Sequence, residues 1–320
     1  KEGIYVTWFS EYNNISKRDK INAFYQFEKI LSRYSKLLIS YSVSDVIRNK
    51  LVDIRQSRPI LIGTKTKPIE KFLNENIIFL QPTRIIARKR IELGFKLIKR
   101  LFHNKNVIDR LNSTPNLKFT LLITGPIATG HYEYFQKLIK RFSELLNVIN
   151  PALRDRIYLA FFFSELDKDI YKRKFKHPVG LPELYNIASL VLLPSRTEGR
   201  GLPIIEAAAC GTPVLCRRYF PEDVYAEVIG EHLPEEDRLK VIEFDGKKIS
   251  SRHAEEVVER VLFPHMYLNE VLHNKRVIQK RYSLESLTKN MHRIVEIVHH
   301  QIVENKILLG KTRKVIQQYR

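Results

Sequence analysis

Glu198 and Glu206 are separated by seven residues in the string Thr197-Glu198-Gly199-Arg200-Gly201-Leu202-Pro203-Ile204-Ile205-Glu206. Two carboxylates can accept hydrogen bonds from neighbouring hydroxyls, while a glycine-rich turn leaves backbone amides free for an anion. The elements that must position them are legible nearby. Leu190-Val191-Leu192-Leu193 reads as a short buried strand. Pro203 suits the first turn of a helix, where its missing N–H is no loss, and Gly211 suits the end of that helix. The first carboxylate then sits on a strand-to-helix loop and the second about one turn inside the helix. The amides of Gly199, Arg200, Gly201 and Leu202 point outward at the positive end of the helix dipole. The matching ligand is part anion and part polyol.

Residues 196–215, with Cys210-Gly211-Thr212-Pro213 near their end, carry a longer pattern. This stretch resembles the Glu-x7-Glu signature of retaining glycosyltransferases with the GT-B fold, especially family 4. Arg200 stands where that family usually has an aromatic residue, and adds a cation near the donor phosphates. A second string, Pro82-Thr83-Arg84-Ile85-Ile86-Ala87-Arg88-Lys89-Arg90, is similar to the family's Gly-Arg-x-x-x-x-Lys-Gly. Arg84 matches the arginine and Lys89 the lysine; Thr83 and Arg90 replace the glycines, and Arg90 is a second candidate for the lysine's part. Thr124-Gly125-Pro126 falls where the family often has Gly-x-Gly, so Gly125 is expected to permit close backbone approach in the donor cleft.

The resemblance implies transfer of a sugar from a nucleoside-diphosphate donor with retention of configuration. It assigns catalysis to Glu198, Arg84 and Lys89, and substrate binding to Glu206, Gly199, Arg200, Gly201, Leu202 and Gly125. Glu206 is expected to hold the ribose hydroxyls. Glu198 is expected to meet the donor sugar and steady positive charge at the anomeric carbon. Arg84 and Lys89 are expected to hold the diphosphate, whose negative charge grows as the glycosidic bond breaks. No cofactor and no metal is expected in the chemical step; Asp167-Lys168-Asp169 reads as a solvated turn.

Strand-like and helix-like segments alternate from residue 76 onward. The expectation is an α/β, Rossmann-like parallel sheet with helices on both faces, corresponding to the C-terminal domain of a GT-B enzyme. Residues 1–75 are expected to be the end of a truncated or reduced N-terminal acceptor lobe, 76–282 the donor-binding domain, and 283–320 a helical tail. In the tail, Leu284, Leu287, Met291, Ile294 and Val298 recur at three and four, which predicts a packed stripe, with Ser283 as N-cap.

The 320 residues carry a net charge of +20, and 84–105 hold eight Lys/Arg against Glu92 alone. Such a field implies an anionic partner. Beyond a nucleoside-diphosphate sugar, the basic face fits a lipid-linked or cell-envelope glycan acceptor and a peripheral contact with an anionic membrane from the cytoplasmic side. No recognition motif with interleaved aromatics supports specific nucleic-acid binding. No apolar run approaches the ~20 residues that span a bilayer. Cys210 and Cys216 read as small buried residues, not a bridge. A P-loop string and a full Gly-x-Gly-x-x-Gly are absent, which argues against a P-loop ATPase and a nicotinamide dehydrogenase. The rival reading is a nucleotide-sugar-binding module without catalysis.

Overall fold

A computed structural model of the chain describes residues 3–7, 38–39, 75–125, 127–162, 181–246 and 248–318. The sequence also predicts helices at 20–34 and 45–52 and a strand at 59–63, and it carries a basic run at 172–176; these segments and the Asp-x-Asp at 167–169 lie outside the described residues.

Eight strands form one sheet, all paired in parallel: β1 (Gly3–Thr7), β2 (Leu38–Ile39), β3 (Asn76–Gln81), β4 (Lys118–Ile123), β5 (Ile157–Phe162), β6 (Leu190–Leu193), β7 (Val214–Arg217) and β8 (Ile242–Phe244). Their spatial order is β2-β1-β5-β4-β3-β6-β7-β8. The chain thus steps outward from β3 to β4 and β5, then returns to place β6 against the other side of β3. Phe79 pairs with Leu190 and Leu80 with Val191 at that junction. Ligands of open parallel sheets bind outside the carboxyl ends of the strands where this reversal occurs.

Alternate residues of each strand feed opposite layers, because successive side chains point to opposite faces. On one face Ile77, Phe79, Leu121, Leu190, Leu192 and Leu215 pack with α1 (Glu92–Leu101), α2 (Lys105–Ser113), α3 (Tyr132–Val148) and α7 (Ser251–Leu262). On the other, Ile78, Leu80, Leu122, Val191, Leu193 and Val214 pack with α4 (Leu181–Ile187), α5 (Leu202–Cys210), α6 (Glu222–Ile229) and α8 (Leu268–Tyr282). Burial on both faces explains why these strands read as continuous apolar runs and not as alternating ones. The expected fold class is present.

Two helices escape the sequence pattern, α2 and α8. The first is capped by Asn104, whose side chain accepts from the amides of Asn106 and Val107. The second packs its Val271 and Lys275 against Gly211, the left-handed residue (φ 77°) that ends α5. The tail is a single helix, α9 (Leu284–Gln318), and the Ser283 hydroxyl accepts from the Ser286 amide at 3.1 Å as its expected cap. Its stripe corrects an expectation. Leu284, Leu287, Met291, Ile294 and Val298 are all exposed, Leu284 to 77%, so the three-and-four repeat here does not mark a packed face. No helix among the described residues is long and apolar enough to cross a membrane.

Candidate active site at the carboxyl ends of β3 and β6

The loops after β3, β4, β6 and β7 are laced together by their backbones. Gly125, after β4, donates its amide to Thr83 O at 2.9 Å, and a Cβ on it would lie 2.5 Å from Thr83 O and Arg84 N. The close approach expected of Gly125 is therefore to the β3 loop, which it fixes in place. Arg196, after β6, donates its amide to Arg88 O at 2.8 Å. The Glu198 amide donates to Phe220 O and the Phe220 amide to Arg196 O, each at 3.0 Å, which ties the β7 loop in.

After β3 the chain makes a short 3-10 turn, Ala87–Lys89, and leaves it through Arg90 at φ 51°. A left-handed conformation costs a non-glycine residue about 1–2 kcal/mol. Arg90 stands where the resembled pattern has glycine, and it keeps the glycine conformation; its guanidinium donates to Gly246 O at 2.7 Å. This turn swings Lys89 inward while Arg90 faces the β8 loop. Gln81, the last residue of β3, donates from Nε2 to Lys89 O at 3.0 Å and anchors the turn.

Lys89 Nζ donates to Glu198 Oε1 at 2.5 Å, with the two side chains only 11% and 9% exposed. Residues 109 apart in sequence, one from each matched string, thus form a buried ion pair. Removing one partner of such a pair costs about 3–5 kcal/mol, because the other is left charged and dry. Glu206 is held separately. Tyr185 on α4 donates its hydroxyl to Glu206 Oε2 at 2.6 Å, and Thr212 donates its hydroxyl to Tyr185 O at 2.7 Å. Burial, then the hydrogen bond to Glu206, raises the Tyr185 hydroxyl far above its ordinary range, so it remains a donor at any working pH.

Between the two acids the loop behaves as its glycines require. Gly201 is the N-cap of α5 with φ 59°, and a Cβ there would meet the Tyr219 hydroxyl at 2.1 Å. Gly199 has open space around its Cα. The amides of residues 199–202 donate no hydrogen bond among the described residues, leaving them free at the helix start. Arg84 and Arg200 are exposed, and neither guanidinium has a partner among the described residues. The structure brings Lys89 and Glu198 into contact, whereas Arg84 stays on the solvent side of the β3 loop.

Four buried polar atoms have no hydrogen-bond partner among the described residues: Gln81 Oε1, Ser195 Oγ, Arg217 Nε and the Tyr219 hydroxyl. All four lie at, or within two residues of, the carboxyl ends of β3, β6 and β7. Unsatisfied groups cost a fold stability and are rare, and these four are concentrated at one edge of the sheet. Sequence reasoning missed Tyr185 as the holder of Glu206, and it missed Tyr219. No spacing signal could have joined them, since α4 meets α5 only in three dimensions. No cluster of metal-ligating side chains occurs among the described residues.

Residues 165–233, which contain both glutamates, match the family described as glycosyl transferases group 1. Mannosylglucosylglycerate synthase of Thermotoga maritima is 29% identical over 223 residues, covering 66% of this chain and 47% of the relative. The enzyme of the same name from Petrotoga mobilis is 26% identical over 151 residues, covering 45% and 32%. The chain therefore spans less than half the length of each of these curated relatives. An alpha,alpha-trehalose-phosphate synthase (UDP-forming) from Burkholderia vietnamiensis shares the fold, with TM-score 0.50, 10% identity, and coverage of 81% of this chain and 51% of that one. The likeness to the solved structure shows the fold, and the glycosyl transferases group 1 match covers the segment that carries both glutamates.

Proposed function

We propose that the crevice outside β3 and β6 binds a nucleoside-diphosphate sugar and transfers its sugar with retention of configuration. The observation that carries this reading is the Lys89–Glu198 pair set beside the Tyr185–Glu206 pair, with free amides at 199–202 between them. Glu206, fixed through one oxygen, offers the other to ribose hydroxyls. The amides, Arg84 and Lys89 take the diphosphate. As the donor bond breaks, Lys89 is drawn toward the growing phosphate charge. That frees the Glu198 carboxylate to steady the positive anomeric carbon and to accept from the sugar hydroxyls. The leaving phosphate takes the acceptor proton on the same face, so no protein base is required.

A "UDP-forming" neighbour in the same fold supports the nucleotide class. The reading also holds that no divalent metal takes part in the chemical step, so turnover is expected to survive EDTA. A lipid-linked acceptor, reached through the exposed apolar stripe of α9 at an anionic membrane, completes the proposal. Incubation with UDP- and GDP-sugars, followed by NMR of the product anomer, tests it. An α-linked donor should give an α-linked product or, without acceptor, slow release of α-sugar. An inverted product, or turnover undiminished in Glu198→Gln, would overturn the reading.

A further inference from the structure

Beyond Thr197 the carboxyl edge opens into a second cavity of about 640 Å3, walled by Arg88, Arg196, Arg217 and Arg218 together with Tyr219 and Phe220. It shares a wall with the crevice already described. Arg88 adjoins Lys89 in the chain and donates from Nη1 to Thr197 O at 2.8 Å, one residue before Glu198. Arg218 is fully engaged: its two terminal nitrogens meet Glu231 at 2.6 and 2.9 Å, and its guanidinium lies 4.9 Å over the Tyr225 ring. Arg196 and Arg217 are not engaged. Among the described residues neither forms an ion pair, and Arg217 Nε is buried with no acceptor. Two acids, Glu222 and Asp245, line the cavity, and both are exposed.

Arg217 is forced into this place by its neighbours. A Cβ at Gly246 would lie 1.8 Å from Arg217 Nε, so only glycine lets the guanidinium lie flat against that backbone. Burial, then the charges of Arg90 and Arg196, lower its hold on the proton, and Asp245 offsets them only in part. Guanidiniums brought together with their charge only partly offset by carboxylates repel one another, and an oxyanion with two or three oxygens relieves that repulsion by forked hydrogen bonds.

We propose that this arginine cavity is the subsite for an anionic group, phosphate or carboxylate, on the acceptor. Bound there, the acceptor's neighbouring hydroxyl is directed over Thr197 toward the sugar held at Glu198. The donor diphosphate occupies the other side of Lys89, so two anions are accommodated without competing. The assignment rests on the glycosyl-transfer reading, which supplies the need for an acceptor.

The test is calorimetry on the full chain with and without saturating nucleotide, using glycerol 3-phosphate and glycerate as probes. The two probes share a three-carbon polyol and differ in carrying phosphate or carboxylate, so they separate the two anion chemistries. The expected result is that at least one binds wild type and that Arg196→Gln weakens it tenfold or more. Arg196→Gln should leave nucleotide affinity within twofold, whereas Glu206→Ala should do the reverse. Arg196 is exposed, so this variant should fold; the more conservative Arg217→Lys is the second arm and should weaken the same probe. Three results overturn the subsite: neither probe binds, Arg196→Gln and Arg217→Lys bind as wild type, or nucleotide displaces the probe. If the probe binds while no nucleotide does, the glycosyl-transfer reading is what fails.

Discussion

The carboxyl edge of the sheet holds two charged regions built on opposite electrostatic plans. In the crevice between β3 and β6 the two acids are answered within the protein, Glu198 by Lys89 and Glu206 by the Tyr185 hydroxyl, and among the described residues only the exposed Arg84 and Arg200 are left open. In the cavity between β6 and β8 the charge is left open, with Arg196 and Arg217 unpaired among the described residues and Arg217 Nε buried without an acceptor. The contrast shows how one edge can treat two ligands differently. A self-neutralised site stays folded and dry when empty, and yields its pairing only to a ligand with both anion and hydroxyls. An uncompensated site is strained when empty and is selective for charge alone.

The largest effect should come from breaking the self-neutralised side. Glu198→Gln keeps shape and removes charge; kcat for sugar transfer should fall about 100- to 1,000-fold, the scale of losing one preorganised electrostatic partner. Lys89→Met should fall by a similar factor, and the double variant by much less than the product, because the two act as one unit. Steady-state kinetics on the four proteins measures this, and additive losses would show that the pair has no joint role. Next is the loop that holds the crevice in register. Gly125→Ala places a Cβ 2.5 Å from the Thr83–Arg84 backbone and should lower stability by about 1–3 kcal/mol, read from urea titration. Nucleotide affinity should fall with it, while the arginine cavity, which does not touch Gly125, should keep its anion.

A smaller change is expected at the support of Glu206. Tyr185→Phe removes one hydrogen bond to a carboxylate and should weaken nucleotide binding by about 1.5–3 kcal/mol in calorimetry, leaving kcat nearly intact. The smallest concerns Cys216, which precedes Arg217 on β7. Burial, opposed in part by the Tyr225 hydroxyl, pushes the Cys216 thiol up to about 12. It should therefore resist iodoacetamide at pH 8 in the native protein and react only on unfolding, with no loss of activity before then.

How much of this was legible in the sequence follows the range of the interactions. The β6–α5 unit was readable because its signals are local: an apolar run, Pro203 in the first turn and Gly211 at the stop. The Lys89–Glu198 meeting was foreshadowed only by resemblance, since nothing in spacing joins two residues 109 apart. Arg90 looked like a departure from pattern, yet its backbone takes the conformation that the pattern demands. The tail misled: a three-and-four repeat describes a helix face but not what, if anything, covers it, and this one is exposed. Helix α8 was invisible for the opposite reason, because among its apolar residues Val277 and Ile278 are buried while Leu268 and Leu272 are exposed. The arginine cavity was beyond sequence reasoning, because its cations arrive from the loops after β3 and β6 and from the end of β7.

The claim on which the rest depends is that the crevice grips a nucleotide sugar through Glu206 and the free amides of 199–202. Isothermal titration of wild type and Glu206→Ala with UDP, GDP and their sugars tests it most directly. The account predicts that one nucleotide series binds wild type and that the variant, still cooperatively folded, binds it at least tenfold more weakly. Binding of equal strength to both proteins, or of no nucleotide to wild type, would contradict it.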